Sequence, residues 1–297
     1  MLGCRAARHL RAQLPPFKVR LCTSSTKVPP SPPTLTIFGA GLAGGAFGGL
    51  VGLGGGVVMV PIMTGIARLT QHQAVGTSSA AVAGTGAAGC ISYGSAGAVD
   101  LVAAGAVSAT ALLTARAGAK ATSLFNPVQM SRAFAIFQMV VAPMVPLKGL
   151  VVKQQKHAGA SLAPSPSDHH PSNRTSELLT LAAAGTVAGF ASGMFGIGGG
   201  VIITPALCLL TEMPFACVLG TTLASMVPPS LVSVATHQQL GNVVGSAVLP
   251  LVCGSALGSF VSGQLAIRIP EEPLQWAFAI VIFGQGATKF RALRGKI

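Results

Sequence analysis

The feature that most constrains this chain is a glycine-rich interruption of an apolar stretch that occurs twice. Residues 41–61 read GLAGGAFGGLVGLGGGVVMVP and residues 185–205 read GTVAGFASGMFGIGGGVIITP. Gly52, Gly54, Gly55, Gly56, Val57 and Pro61 meet Gly196, Gly198, Gly199, Gly200, Val201 and Pro205 at a constant offset of 144 positions. The register continues through Gly76-Thr77-Ser78 against Gly220-Thr221-Thr222 and through Gly97 against Gly241. It holds again at Ala133-Phe134-Ala135-Ile136 against Ala277-Phe278-Ala279-Ile280. Chance does not keep one register over such a span, so the chain reads as two homologous halves, 35–151 and 178–290.

What solvates these halves follows from charge. Only 8% of the residues are charged and 51% are hydrophobic. A soluble domain carries about 25% charged residues. Too few ionised side chains are present to coat a water-facing surface. This excludes an ordinary cytosolic enzyme and a disordered protein, and leaves lipid as the main solvent. The net charge of +13 does not point to nucleic acid, because the basic residues cluster in the first 30 positions or flank apolar stretches. The six cysteines form no CxxC pair and read as small buried hydrophobes.

Each half offers four apolar stretches, 35–67, 73–95, 98–115 and 131–151, then 178–211, 215–236, 243–267 and 273–288. The expectation is an all-α integral membrane protein of about eight transmembrane segments, in two four-segment repeats whose first helices are broken by glycine. The opening stretch of each half is too long for one simple span. A single crossing made of two half-helices implies parallel repeats; a re-entrant hairpin implies inverted ones. The sequence is compatible with both. On the four-plus-four count, Lys148, Lys153, Lys156, Arg174, Lys289, Arg291, Arg294 and Lys296 face Arg68, Arg116, Lys120, Arg132 and Arg268 across the membrane. That count places the central loop and both termini on the matrix or cytoplasmic side.

Residues 1–30 are Arg-rich, acid-free and without a signal-peptide core, which is the composition of an organellar transit peptide. Residues 2–14 suit a basic amphipathic helix. The expected address is the mitochondrial inner membrane, with a plastid or the plasma membrane as alternatives. Residues 152–177 are polar and Pro/Ser-rich and read as a solvent loop joining the halves; 291–297 are a basic tail. His157, His169 and His170 in that loop lack companion ligands, so no metal is expected.

The duplicated break carries the chemistry. Glycines at 54–56 and 198–200 free the backbone, and half-helices starting near Val57 and Val201 would present N–H groups and a partial positive charge. A small anion needs such donors. The alternative is that these glycines only permit tight packing. Thr77, Ser78, Thr221 and Thr222, with Ser79 and Ser225, add hydroxyls that could bind an oxyanion or bond the carbonyl one turn back. Gln138, His237, Gln238 and Gln239 read first as interhelical or interface positions. Pro228-Pro229 predicts a kink. Gly39-Ala40-Gly41-Leu42-Ala43-Gly44 matches GxGxxG, but the next acidic residue is Asp100, far beyond ribose reach. The glycines also fall on two helical rows, Gly41, Gly45, Gly49 and Gly44, Gly48, Gly52, Gly56. No acidic residue lies inside an apolar stretch, so no carboxylate proton relay and no catalytic constellation is visible.

The paired motif, Gly49-Leu50-Val51-Gly52-Leu53-Gly54-Gly55-Gly56 with Pro61 and again Gly193 to Gly200 with Pro205, resembles the TauE/SafE sulfite exporter family of membrane transporters. Ala74-Val75-Gly76-Thr77-Ser78, echoed by Val218-Leu219-Gly220-Thr221-Thr222, resembles it too. The resemblance covers about residues 37–290. It implies a secondary carrier of sulfite, sulfonates or related anions in which both halves line one pathway. The expected partners are a small anionic substrate and the lipid bilayer, with a homo-oligomer possible, no nucleic acid and no cofactor. An anion channel and a non-transporting scaffold or assembly protein are the alternatives. Replacing Gly55 and Gly199 by Leu is expected to abolish transport while the protein still inserts.

Overall fold

The computed structural model describes residues 34–141, 171–211 and 213–269, and parts of 276–291. Residues 1–30, most of the central loop and the last six residues lie outside these. The described chain is helical. α1 spans Thr34–Val51, α2 Gly56–Gly65, α3 Gln71–Gly94, α4 Leu101–Ala121 and α5 Pro127–Val141. α6 spans Pro171–Phe195, α7 Gly200–Leu210, α8 Phe215–Gln239 and α9 Gly245–Ala266. Both α2 and α7, α3 and α8, and α4 and α9 begin 144 positions apart, the offset of the duplicated sequence.

Each opening stretch is therefore two helices. α2 folds back along α1: a Cβ on Gly44 would meet the Met59 side chain, and one on Gly48 would meet the Gly55 backbone. The second row of glycines thus serves the return of the hairpin. The first row serves a different helix. Gly41, Gly45 and Gly49 press on Leu251, Ser255 and Ser259 of α9, and Gly185, Gly189 and Gly193 press on Val107, Ala111 and Ala115 of α4. Residue numbers rise together in both pairs, so α1 runs parallel to α9, and α6 parallel to α4. Lacking side chains, these glycines let backbones touch, which is how helices gain contact without a hydrophobic driving force.

Directions close the topology. Ser255 and Ser259 of α9 donate to the Ala81 and Thr85 carbonyls of α3 at 3.0 and 2.9 Å, again a parallel pair. α3 and α8 are antiparallel: Gly76 meets His237, Gly86 meets Val227 and Gly89 meets Leu223. Ser131 near the start of α5 donates to Gln71 Oε1 at the start of α3 (3.1 Å), so α5 starts from the end where α1 and α3 start. The two sets of helices are related by an approximate two-fold rotation that reverses their direction. Of the two arrangements the sequence allows, the hairpin with inverted repeats is the one found. A hairpin adds no net crossing, so α1 and α6 start from opposite ends of the bundle. The four-plus-four count, which put the central loop on the side of the termini, fails for that reason.

Other local readings are adjusted by the same structure. α6 begins at Pro171, inside the stretch read as loop, because proline suits the first helical position. The GxGxxG match lies inside α1, where no strand-turn-helix exists to hold a dinucleotide. α8 continues through Pro228 and Pro229. Pro229 has no N–H for the Ser225 carbonyl, and Ser108 of α4 donates there instead (3.0 Å). Cys90, Cys208 and Cys217 are half-buried and Cys253 is exposed, so these four are not the fully buried residues expected, and none forms a disulfide.

Burial is inverted relative to a soluble bundle. Thr77, Ser78, Thr85, Thr221, Thr222, Ser225 and Ser255 are buried, whereas Leu113 and Leu249 in mid-helix are 77% and 71% exposed. Such an exterior suits lipid, and of the interior hydroxyls Ser78, Thr85, Ser225 and Ser255 answer carbonyls while Thr77 and Thr221 accept backbone N–H groups. Among the described residues, five helices, α1, α3, α4, α8 and α9, are long and apolar enough to cross a bilayer.

Candidate functional site

The two glycine breaks meet at the centre of the bundle. Gly52, Gly54 and Gly55 have φ of 71°, 75° and 73°; Gly196, Gly198 and Gly199 have 66°, 83° and 74°. A left-handed backbone at three of four successive positions is what only glycine adopts without strain, and it reverses the chain within one turn. Gly55 and Gly199 cap α2 and α7 without any side-chain hydrogen bond. The Val58 and Met59 N–H groups close on the Gly55 carbonyl at 3.0 Å each. The Ile202 and Ile203 N–H groups close on Gly199 in the same way, at 2.9 and 3.0 Å. The N–H groups of Gly56, Val57, Gly200 and Val201 stand before the first intrahelical bond, and the helix dipole is positive there.

Both N-termini point into one contact. A Cβ on Gly56 would strike the Gly196 carbonyl, and one on Gly200 would lie 2.6 Å from the Gly52 carbonyl. Val82 of α3 and Met226 of α8, themselves 144 positions apart, fill the space between the breaks. Both lie against Gly54 and Gly198. Val57, Val82, Val201 and Met226 are all buried, so the site is closed in this conformation. Pro61 and Pro205, expected from the sequence as helix breaks, instead lie inside α2 and α7, where each leaves a carbonyl one turn back without its usual N–H donor.

The hydroxyl candidates divide. Ser78 Oγ lies 3.0 Å from the Gly196 carbonyl and 3.0 Å from that of Val75. Thr222 Oγ1 accepts from Thr204, whose hydroxyl also reaches the Gly52 carbonyl at 3.3 Å. Ser78 therefore ties the second break to the first half directly, and Thr222 reaches the first break only through Thr204 of its own half. Thr77 and Thr221 sit elsewhere. Thr77 Oγ1 accepts the Val244 N–H (3.1 Å) at the start of α9, and Thr221 Oγ1 accepts the Asp100 N–H (2.9 Å) at the start of α4. Both hold a neighbouring helix end and are not brought together with the glycine triplets.

Further residues enter that sequence reasoning passed over or ranked low. Tyr93 Oη donates to the Gly49 carbonyl at 2.8 Å. His237, at the equivalent position, places Nε2 2.9 Å from the Gly193 carbonyl, so that nitrogen carries the proton. Its Nδ1 faces the Asn242 amide at 3.5 Å. Reading Val82, Met226, Tyr93 and His237 in the repeat register would have paired them from sequence. Thr204 and Ser108 leave no such signal. Gln238 and Gln239 are exposed. Gln138 is 1% exposed and neither its amide nitrogen nor its oxygen has a partner.

The family whose description is "Sulfite exporter TauE/SafE" matches residues 4–145 and 37–288 of this chain. A relative from Bacillus subtilis (strain 168), "Probable membrane transporter protein YunE", is 27% identical over 250 residues, covering 82% of this chain and 92% of that protein. A "Probable membrane transporter protein" from Xylella fastidiosa (strain 9a5c) is 28% identical over 235 residues, 79% of this chain and 85% of its own length. One from Haemophilus influenzae is 34% identical over 112 residues, 35% of this chain and 42% of its own. No solved structure matches.

Proposed function

The chain belongs to the TauE/SafE sulfite exporter family of membrane transporters, and from that membership we propose that it is a secondary carrier of small sulfur-containing anions, sulfite or a sulfonate among them. The observation that carries this reading is the meeting of two oppositely directed half-helix N-termini at the bundle centre. Bare N–H groups and dipoles hold an anion without burying a full positive charge. Among the described residues no Asp or Glu is buried, so nothing there repels an anion. Inverted repeats supply the two-way geometry: rocking one half against the other exposes the centre to either side in turn.

In this reading each half, 35–151 and 178–290, makes three net crossings plus its hairpin. Both halves line one pathway, with Gly54, Gly55, Gly56, Val57 and Ser78 from the first and Gly198, Gly199, Gly200, Val201 and Thr222 from the second. Thr77 and Thr221 act on the pathway through the helix ends they hold. The scaffold alternative loses its main support, because the glycine rows are consumed inside the molecule. Among the described residues, Arg68, Arg116, Lys120 and Arg132 belong to the end where α1 starts, while Asp100, Arg174 and Arg268 belong to the other. The positive-inside rule then turns the basic end to the matrix or cytoplasm. Residues 1–30 would deliver the chain to the mitochondrial inner membrane.

The test is flux of radiolabelled sulfite into liposomes holding the purified protein without residues 1–30, with sulfate and an organosulfonate as competitors. Saturable, competed flux is expected. Absence of flux from folded protein with each of the three anions radiolabelled in turn would overturn the substrate class. Residues 1–30 fused to a fluorescent protein should reach mitochondria; a diffuse cytosolic signal would refute the address.

A further inference from the structure

The approximate two-fold symmetry is broken along the seam between α3 and α8. The seam has two equivalent halves on either side of Val82 and Met226. Towards the end opposite the basic one, Leu223 of α8 fills the space over Gly86 and Gly89 of α3. Cβ atoms there would lie 2.8 Å from the Leu223 carbonyl and 2.6 Å from its side chain. Towards the basic end, the equivalent positions carry hydroxyls: Ser79 stands where the other half has Leu223, Ser230 where it has Gly86, and Ser233 where it has Gly89. Ser79 and Ser233 face each other at 3.0 Å, and Ser79 also lies 2.9 Å from the Val75 carbonyl. Ser230 sits one helical turn from Met226, whose sulfur lies 3.0 and 2.8 Å from where Cβ atoms on Gly198 and Gly200 would stand. Ser230 is 1% exposed and its hydroxyl has no partner.

A buried, unpartnered hydroxyl costs free energy that a packed Ala or Gly would avoid. A serine in a membrane helix ordinarily bonds the carbonyl one turn back; Ser230 does not. In the repeat register Ser230 takes the place opposite Ser79 that Gly86 takes opposite Leu223. We propose that Ser79, Ser230 and Ser233 form an oxyanion station between the central breaks and the basic end, with Leu223 as the apolar closure of the opposite branch. The inference deepens the carrier reading and rests on it for the anion's class. In the closed conformation Ser79 and Ser233 bond each other. When the halves rock apart, those hydroxyls and Ser230 turn their donors to an anion leaving the half-helix N-termini. The two branches of one pathway are thus unequal, and the anion lingers in the hydroxyl-bearing one.

Two measurements test this. In the sulfite flux assay, Ser230→Ala should raise KM roughly tenfold, the loss of one hydroxyl–anion hydrogen bond. Ser230→Thr, which keeps the hydroxyl, should restore it. Ser79→Leu combined with Ser230→Gly and Ser233→Gly, which copies the closed branch including the glycines that make room for the leucine, should stop flux while the melting temperature in detergent stays near wild type. Wild-type KM in Ser230→Ala and unimpaired flux in the triple variant would overturn the station and leave the carrier reading standing. The second measurement needs no transport. Ser230→Cys, read as gain over the wild-type chain, should react with a small anionic thiol reagent added from the basic end, and sulfite should slow the reaction. Labelling from the opposite end alone, or none from the basic end, would overturn the proposal even if the carrier reading failed.

Discussion

At the scale of single residues, the structure separates glycines that make the fold from glycines that merely occupy it. Gly39 and Gly45 sit on one helix and look alike in sequence. Nothing lies within 4 Å of a Cβ on Gly39, whereas a Cβ on Gly45 would overlap the Ser255 backbone. Gly39→Ala is therefore expected to leave stability unchanged or raise it by up to ~1 kcal/mol through reduced backbone entropy. Gly45→Ala should cost ~1–3 kcal/mol from overpacking α1 against α9. Thermal unfolding of the two variants in detergent decides it, and equal melting temperatures would refute the packing argument. The same logic corrects an earlier expectation. Leu at 55 would need a left-handed backbone and would collide with the Gly44 carbonyl, so the Gly55, Gly199 pair of Leu substitutions disrupts the hairpins themselves. Loss of transport in that variant would not isolate an anion site; Ser230 is the better probe.

At the scale of helices, the lesson is how ends buried near the bundle are satisfied. α4 starts under Asp100, whose carboxylate accepts the Val102 and Ala103 N–H groups at 2.8 and 3.0 Å. Its own N–H is taken by Thr221. Asp100→Ala should cost ~1 kcal/mol, the usual worth of an N-cap. Asp100→Asn, which keeps the acceptor, should recover most of it; the check is again the melting temperature. α9 has no side-chain cap at Val244, so its attachment rests on Thr77. Helix α3 instead carries a reciprocal box, with Thr70 accepting the Gln73 N–H and Gln73 accepting that of Thr70. Thr70 followed three residues later by Gln73 is a signal visible in sequence; the role of Thr221 is not, because its partner lies 121 positions away.

At the scale of the whole molecule, inverted repeats make a sharp claim about sides. Ala96 lies in the turn after α3 and Gln239 is the last residue of α8, and both are exposed. With α3 and α8 antiparallel, these positions lie at opposite ends of the bundle. Ala96→Cys and Gln239→Cys in sealed vesicles should therefore react with an impermeant thiol reagent from opposite sides, with Gln239→Cys on the side of the basic end. Labelling of both from one side would contradict the inverted arrangement. The asymmetry of the seam belongs to this scale too. Only the comparison of whole halves shows that Ser79 and Leu223 are the same position put to different uses.

Much of the architecture was legible along the chain. Low charge, apolar length and the constant offset of 144 made an all-helical membrane protein of two related halves, because solvent choice and duplication are properties of composition and order. The glycine breaks were legible too: a triplet recurs at corresponding places in both halves, inside a stretch too long for one simple span. What the tertiary structure alone decided is direction and partnership. Whether α2 continues from α1 or returns along it depends on three φ angles and on what Gly44 and Gly48 touch, and neither is a local preference. That choice reversed the second half relative to the first. It moved Thr77 and Thr221 from the centre to the ends of neighbouring helices. It also set Ser230, unremarked in the sequence, beside the helix breaks. A hydroxyl's role is fixed by the carbonyl it reaches, and for Ser78, Ser108, Thr204, Ser255 and Ser259 one such carbonyl lies in the other half.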